Sequence, residues 1–195
     1  MATPEVPGEE PSSEPASVAR PPLQALLPTE GLLVLVVAAG IGTIAGSFAE
    51  FGLGTHALIG AVFCPVLVLL AAIDAQHRLL PNTIVLPTIL AVAVILGIGA
   101  PDRFPPHLIA AAALGGFFFA FAAFFPGSIG MGDAKLGFLL GLALGSRTLA
   151  AVIYACAGLL VAAIYILAKR GTSARKDVIP FGPFLAAGGI MAFFL

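Results

Sequence analysis

The sequence predicts an all-α, polytopic membrane helix bundle of about seven transmembrane segments. Three observations carry that prediction. Charged residues are only 10% of the chain and hydrophobic residues are 59%, whereas a soluble domain carries about 25% charge to keep its surface wet. The mean hydropathy is +1.09. The apolar residues fall into runs close to the ~20 residues a helix needs to cross a bilayer, separated by short stretches of Pro, Gly and charge. A net charge of −1 with no basic stripe gives a nucleic acid nothing to bind.

Residues 1–29 are of different composition from the rest. They are rich in Pro, Glu and Ser with almost no aromatic side chains. Such a segment buries too little apolar surface to fold alone, and it reads as a disordered arm outside the membrane. It lacks the basic start and immediate apolar core of a secretory signal. Residues 30–195 form the membrane-embedded domain. The first segment is expected at 31–52, with Glu50 marking its edge, and the second at 55–73, with Asp74 at its very end. A short polar link, 74–82, contains Pro81, which suits a chain leaving a helix. The third segment is 83–100, with Pro87 inside it, and Pro101–Pro106 (PDRFPP) reads as a turn.

The fourth segment, 107–125, ends in a run of phenylalanines whose ordinary role is packing against lipid or other helices. The loop 126–132 (PGSIGMG) follows, then a short fifth segment, 133–145. Arg147 marks a turn before the sixth segment, 148–168; a basic loop covers 169–177, and 178–195 is the seventh. Cys64 and Cys156 each sit in an apolar run and read as small buried hydrophobes. No internal repeat is visible.

Lys and Arg are unevenly shared between the two sets of loops. Lys169, Arg170, Arg175 and Lys176, with Arg78 and Lys135, fall on one side; the other side has Arg103 and Arg147. The positive-inside rule then makes the first side cytoplasmic. It holds the N-terminal arm, the basic loop and two acidic residues, Asp74 and Asp133.

Ionisable residues at membrane depth are costly and mark function by default. Two carboxylates at one depth in one bundle suit aspartyl acid–base hydrolysis. Close carboxylates share a proton, so one member takes a proton from attacking water while the other donates to the carbonyl oxygen. Gly130 and Gly132, beside Asp133, allow positive φ and the close approach of another backbone. The GxGD string alone is weak, because membrane helices are rich in glycine.

Asp74 stands six residues before Leu80-Pro81-Asn82. Gly130-Met131-Gly132-Asp133-Ala134-Lys135-Leu136 follows, and then Pro180-Phe181-Gly182-Pro183-Phe184. In that order and spacing the three motifs resemble the type IV prepilin peptidases, membrane aspartyl proteases of the GxGD type. The resemblance covers residues from about 31 to the C-terminus. It implies an endopeptidase that cuts the basic leader from prepilins or pseudopilins at the cytoplasmic face of the inner membrane, with Asp74 and Asp133 as its catalytic aspartates. Gly130, Gly132, Lys135, Pro81 and Asn82, beside these acids, are expected to shape the backbone and the substrate site. Many relatives carry a cytosolic insertion with paired CxxC motifs and methylate the new pilin N-terminus. There is no CxxC here, so a form confined to the peptidase activity is expected.

Other polar residues have plainer readings. Lys135 would tune the acidic pair, meet an acidic group on the substrate, or snorkel to the interface. His77 and Arg78 read as solvated interface residues, and the basic loop as a topology signal with contact to anionic lipid. No cofactor or metal is expected, since nothing resembles HExxH, and a serine protease is disfavoured because Ser128 has no histidine at a motif spacing. The partners expected are the prepilin substrate and the lipid bilayer; no residue pattern indicates an oligomeric state. The competing reading is a small ion- or proton-coupled transporter using the same two aspartates. Such a protein would favour acids near the midplane and an inverted repeat.

Overall fold

The computed structural model describes residues 28–125, 130–170 and 180–195. Nearly all of the expected arm, residues 126–129 of the glycine loop, and most of the basic loop, Arg175 and Lys176 included, lie outside the described residues. Among the described residues seven α-helices follow one another: α1 Glu30–Phe51, α2 Thr55–His77, α3 Asn82–Gly99, α4 Phe104–Phe124, α5 Met131–Leu144, α6 Thr148–Arg170 and α7 Gly182–Phe194. No strand occurs among the described residues.

Length and composition allow five apolar stretches to cross a membrane: α1, α2, α3, the run from Pro101 through α4, and a 39-residue run joining α5 and α6. At 13 residues, α7 is shorter than the ~20 of a full span. Seven helices are therefore present among the described residues, while a count of seven spans does not follow from their lengths.

Three boundaries differ from expectation. α2 runs on past Asp74 to His77, so the carboxylate lies in the helix rather than in a link, and the link shortens to Arg78–Pro81. Arg78 ends the helix with φ 53°, in the left-handed region usual for a residue closing a helix. The PDRFPP turn is a 3-10 turn over Pro101–Arg103, and Pro105 and Pro106 belong to the first turn of α4. Proline is at ease there because the first amides of a helix have no internal partner. Finally, α5 begins at Met131, which makes Gly132 helical.

The long buried side chains come mainly from α2, α5 and α7, with Leu67, Leu70, Leu139, Leu140, Leu185 and Phe193 all fully enclosed. Outward faces of α1 and α6 are apolar and exposed, as helices meeting lipid must be. Cys64 is buried as expected, but Cys156 is exposed on the outer face of α6. Contact between α4 and α5 depends on small residues: a β-carbon at Gly141 would fall against the Ala111 backbone, and one at Gly137 would lie 3.1 Å from Phe118 Cε2. Hydroxyls within the bundle bond to their own helices, Ser47 to the Thr43 carbonyl at 2.8 Å and Thr88 to that of Ile84 at 2.7 Å. One end of the bundle thus gathers the start of α1, the end of α2, and the starts of α3, α5 and α7. Gln76 near the end of α2 donates to the Thr29 hydroxyl at 3.3 Å, tying two of these ends together.

Candidate active site

Asp74 lies on α2 one turn before its end and is 7% exposed. Its carboxylate accepts a hydrogen bond from the backbone N–H of Gly182, the first residue of α7. The local sequence explains why that amide is available. The first turn of α7 has no side-chain cap, Pro183 has no N–H, and Phe184 donates to the Phe181 carbonyl at 3.1 Å. Gly182 is left needing an acceptor, and the positive end of the α7 dipole favours an anion there. Asp74 supplies it from another helix. The approach is close enough that a β-carbon on Gly182 would sit 2.9 Å from Asp74 Cγ.

Asp133 occupies the first turn of α5 and is half-buried. Its Oδ2 accepts from the Gly130 N–H at 3.3 Å, while its own N–H donates to the Gly130 carbonyl at 3.0 Å. Both acids are therefore held in the same way, by a glycine amide at the start of a helix. They also lie within electrostatic reach of each other, and Arg78 reaches Asp74 from the end of α2.

The glycines of the GMGD string do not use left-handed backbone: Gly130 is extended at φ −76°, and the positive-φ glycines among the described residues are Gly52 and Gly145. Close approach is what Gly132 provides. A β-carbon there would lie 2.9 Å from Leu80 Cβ, so the Leu80-Pro81-Asn82 segment packs directly over the start of α5. Lys135 completes this junction by donating from Nζ to Asn82 Oδ1 at 2.7 Å. This junction between α5 and the start of α3 is not among the roles expected for Lys135 from the sequence. Pro81 is the residue before α3, with its carbonyl accepting from Ile84 and Val85.

Two residues of this region were not singled out from the sequence as site residues. Gly182 is one; its signal was a glycine between prolines at a helix start. Phe118 is the other, buried at 4% exposure and edge-on to Phe181 at 5.9 Å. It supports the residue that precedes Gly182. His77 is exposed, as expected of a solvated interface residue. Among the described residues no three His, Cys, Asp or Glu side chains come together in a metal-ligating group.

The chain matches the profile of the type IV leader peptidase family over residues 61–167, a range that contains both aspartates. A protein of Bacillus subtilis (strain 168), a prepilin leader peptidase/N-methyltransferase, is 33% identical over 148 residues, which are 74% of this chain and 58% of that protein. A protein of the same name from Burkholderia pseudomallei (strain 1026b) is 32% identical over 157 residues, 77% of this chain and 50% of its own. The chain thus spans about half the length of these relatives. No solved structure matches it. From α2 to the end of α6, with one acid on each side of the Leu-Pro-Asn turn, the chain belongs to the type IV leader peptidase family.

Proposed function

We propose that this protein is a membrane aspartyl endopeptidase that removes the leader of type IV prepilins or pseudopilins at the cytoplasmic face of the inner membrane. The observation that carries the proposal is the pair of carboxylates on α2 and α5, each anchored by a glycine amide and placed at one end of the bundle. Family membership points to the same chemistry, and the relatives' name points to the substrate.

In this mechanism one aspartate is ionised and the other protonated. The ionised carboxylate takes a proton from water as the water attacks the scissile carbonyl carbon. The protonated one donates to the carbonyl oxygen. The roles then exchange as the tetrahedral intermediate collapses and the amine leaves with a proton. Gly182 and Gly130 hold the two groups in place with amides that do not reorganise during the reaction. The Lys135–Asn82 bond keeps the Leu-Pro-Asn turn fixed against α5, and so keeps the two aspartate-bearing segments in register. The basic residues near this end support a cytoplasmic placement. A transporter reading draws no support from the family or the relatives.

The test is co-expression with a prepilin and measurement of leader removal by gel mobility, comparing wild type with Asp74→Ala, Asp133→Ala and the two Asn variants. All four are expected to insert into the membrane and to leave the leader uncut. Processing by both Ala variants would end the aspartyl reading.

A further inference from the structure

At the opposite end of the bundle, about 27 Å along α2 from Asp74 to His56 at 1.5 Å per residue, a second group of polar side chains converges. The connections α3–α4 and α5–α6 bring Arg103 and Arg147 to the rim of a cavity of about 550 Å³. His56, His107, Thr55 and Ser146 line it too. Among the described residues, no carboxylate is in that lining. In the sequence these two arginines only ran against the charge bias of the loops; in the fold they share one site.

Several of these groups are held rather than free to swing. Arg147 Nη1 donates to the Phe193 carbonyl at 3.2 Å, which fixes the guanidinium and leaves its other N–H groups available. His107 Nδ1 lies 2.8 Å from the Leu142 carbonyl, and because a carbonyl only accepts, Nδ1 carries the proton. Gly145, at φ +56°, is the residue over which that imidazole sits: a β-carbon there would be 2.5 Å from His107 Nε2. Arg103, Arg147 and His107 all act electrostatically on His56, so these groups share one site, whose positive charge comes from the two guanidinium groups. A cluster of like-signed groups with no acid in the cavity wall favours an anion from outside the protein.

We propose that this cavity binds a phosphate-bearing anion, with the Arg103 and Arg147 guanidinium groups holding its phosphate oxygens. The planar fork of arginine matches phosphate geometry, and its weak hydration suits a site at a membrane edge. Ser146 adds a hydroxyl to the lining. Two sources carry this chemistry. One is the headgroup of an anionic phospholipid, which the cavity's place at one end of an apolar bundle would favour. The other is free inorganic phosphate. The site is independent of the proposed peptidase activity.

The experiment uses the full chain, purified in a non-ionic detergent, with two probes measured by calorimetric titration: inorganic phosphate and short-chain phosphatidylglycerol. Short-chain phosphatidylcholine serves as the zwitterionic comparison. Wild type is expected to bind phosphatidylglycerol, phosphate or both, and to bind phosphatidylcholine more weakly. Arg103→Gln should weaken binding about tenfold or more, because a charge-assisted hydrogen bond is lost. Arg103 is exposed, so this variant should melt like wild type. The double variant with Arg147→Gln should abolish binding, and Arg147→Lys separates loss of the Phe193 bond from loss of charge. Binding of phosphatidylglycerol without phosphate would assign the site to lipid, and phosphate alone would assign it to the free ion; either supports the proposal. If neither probe binds, or if Arg103→Gln binds both as tightly as wild type, the proposal is overturned.

Discussion

Replacing Gly182 with alanine tests how the fold holds Asp74. The added methyl group would lie 2.9 Å from Asp74 Cγ and 3.4 Å from Cβ. Carbon atoms in contact ordinarily sit about 3.5–4.0 Å apart, so something must move by roughly half an ångström to one ångström. Asp74 has little room to yield, at 7% exposure. Turning its carboxylate off its rotamer costs about 0.5–1.5 kcal/mol. Losing the Gly182 amide costs about 1.5–3 kcal/mol more, the range for hydrogen bonds to charged groups. A reacting group displaced by about 1 Å typically loses ~100-fold in rate. The expectation is therefore a kcat lowered about 100-fold, equivalent to ~2.7 kcal/mol in the barrier. KM should change much less, since the added methyl group meets the aspartate. The assay is steady-state cleavage of a purified prepilin by enzyme in proteoliposomes. Gly116→Ala is the control, because a β-carbon there meets nothing within 4 Å, and its kcat should match wild type. A Gly182→Ala enzyme with wild-type kcat would refute the proposed contact between α7 and Asp74.

Three further outcomes follow from the same geometry. Lys135→Ala and Asn82→Ala should each slow cleavage, and the double variant should be no worse than the poorer single, with a coupling of about 1–2 kcal/mol for a bond of 2.7 Å; additive losses would show that the two side chains act separately. Gly141→Ala should lower the thermal midpoint measurably, since its β-carbon would meet the Ala111 backbone and overpacking costs about 1–3 kcal/mol; an unchanged melt would mean that α4 and α5 can part at no cost. Cleavage should fall on both sides of a pH optimum, because a doubly protonated pair has no base and a doubly ionised pair has no acid. A rate that only rose with pH would leave the acid role unfilled.

The membrane helices were legible because apolar runs of this length have no other stable use; α1, expected at 31–52, is Glu30–Phe51. What misled was punctuation. Asp74 looked like the end of a helix, because an isolated carboxylate is poorly tolerated in an apolar one. The Gly182 amide, supplied from more than a hundred residues away, removes that objection. The prolines of PDRFPP looked like a turn, although proline at the start of a helix loses no hydrogen bond. Of the two uses expected of Gly130 and Gly132, positive φ is absent, and close approach is what Gly132 provides, against Leu80. The two aspartates and the Lys135–Asn82 neighbourhood were found from motif order. Gly182 lay in the third of those motifs, but its hold on Asp74 and the place of Phe118 were not legible, because both lie in contacts between helices distant in sequence.

The central claim is that Asp74 and Asp133 act as one unit. The direct test is the cleavage rate of purified wild type, Asp74→Asn, Asp133→Asn and the double variant, all in proteoliposomes with one prepilin. Each single variant should fall to the same background as the double, a loss of at least about 1,000-fold, because residues acting as a unit are not additive. Should either single variant keep more than a few per cent of wild-type rate, or the double fall well below both singles, the two carboxylates would not be a shared acid–base pair.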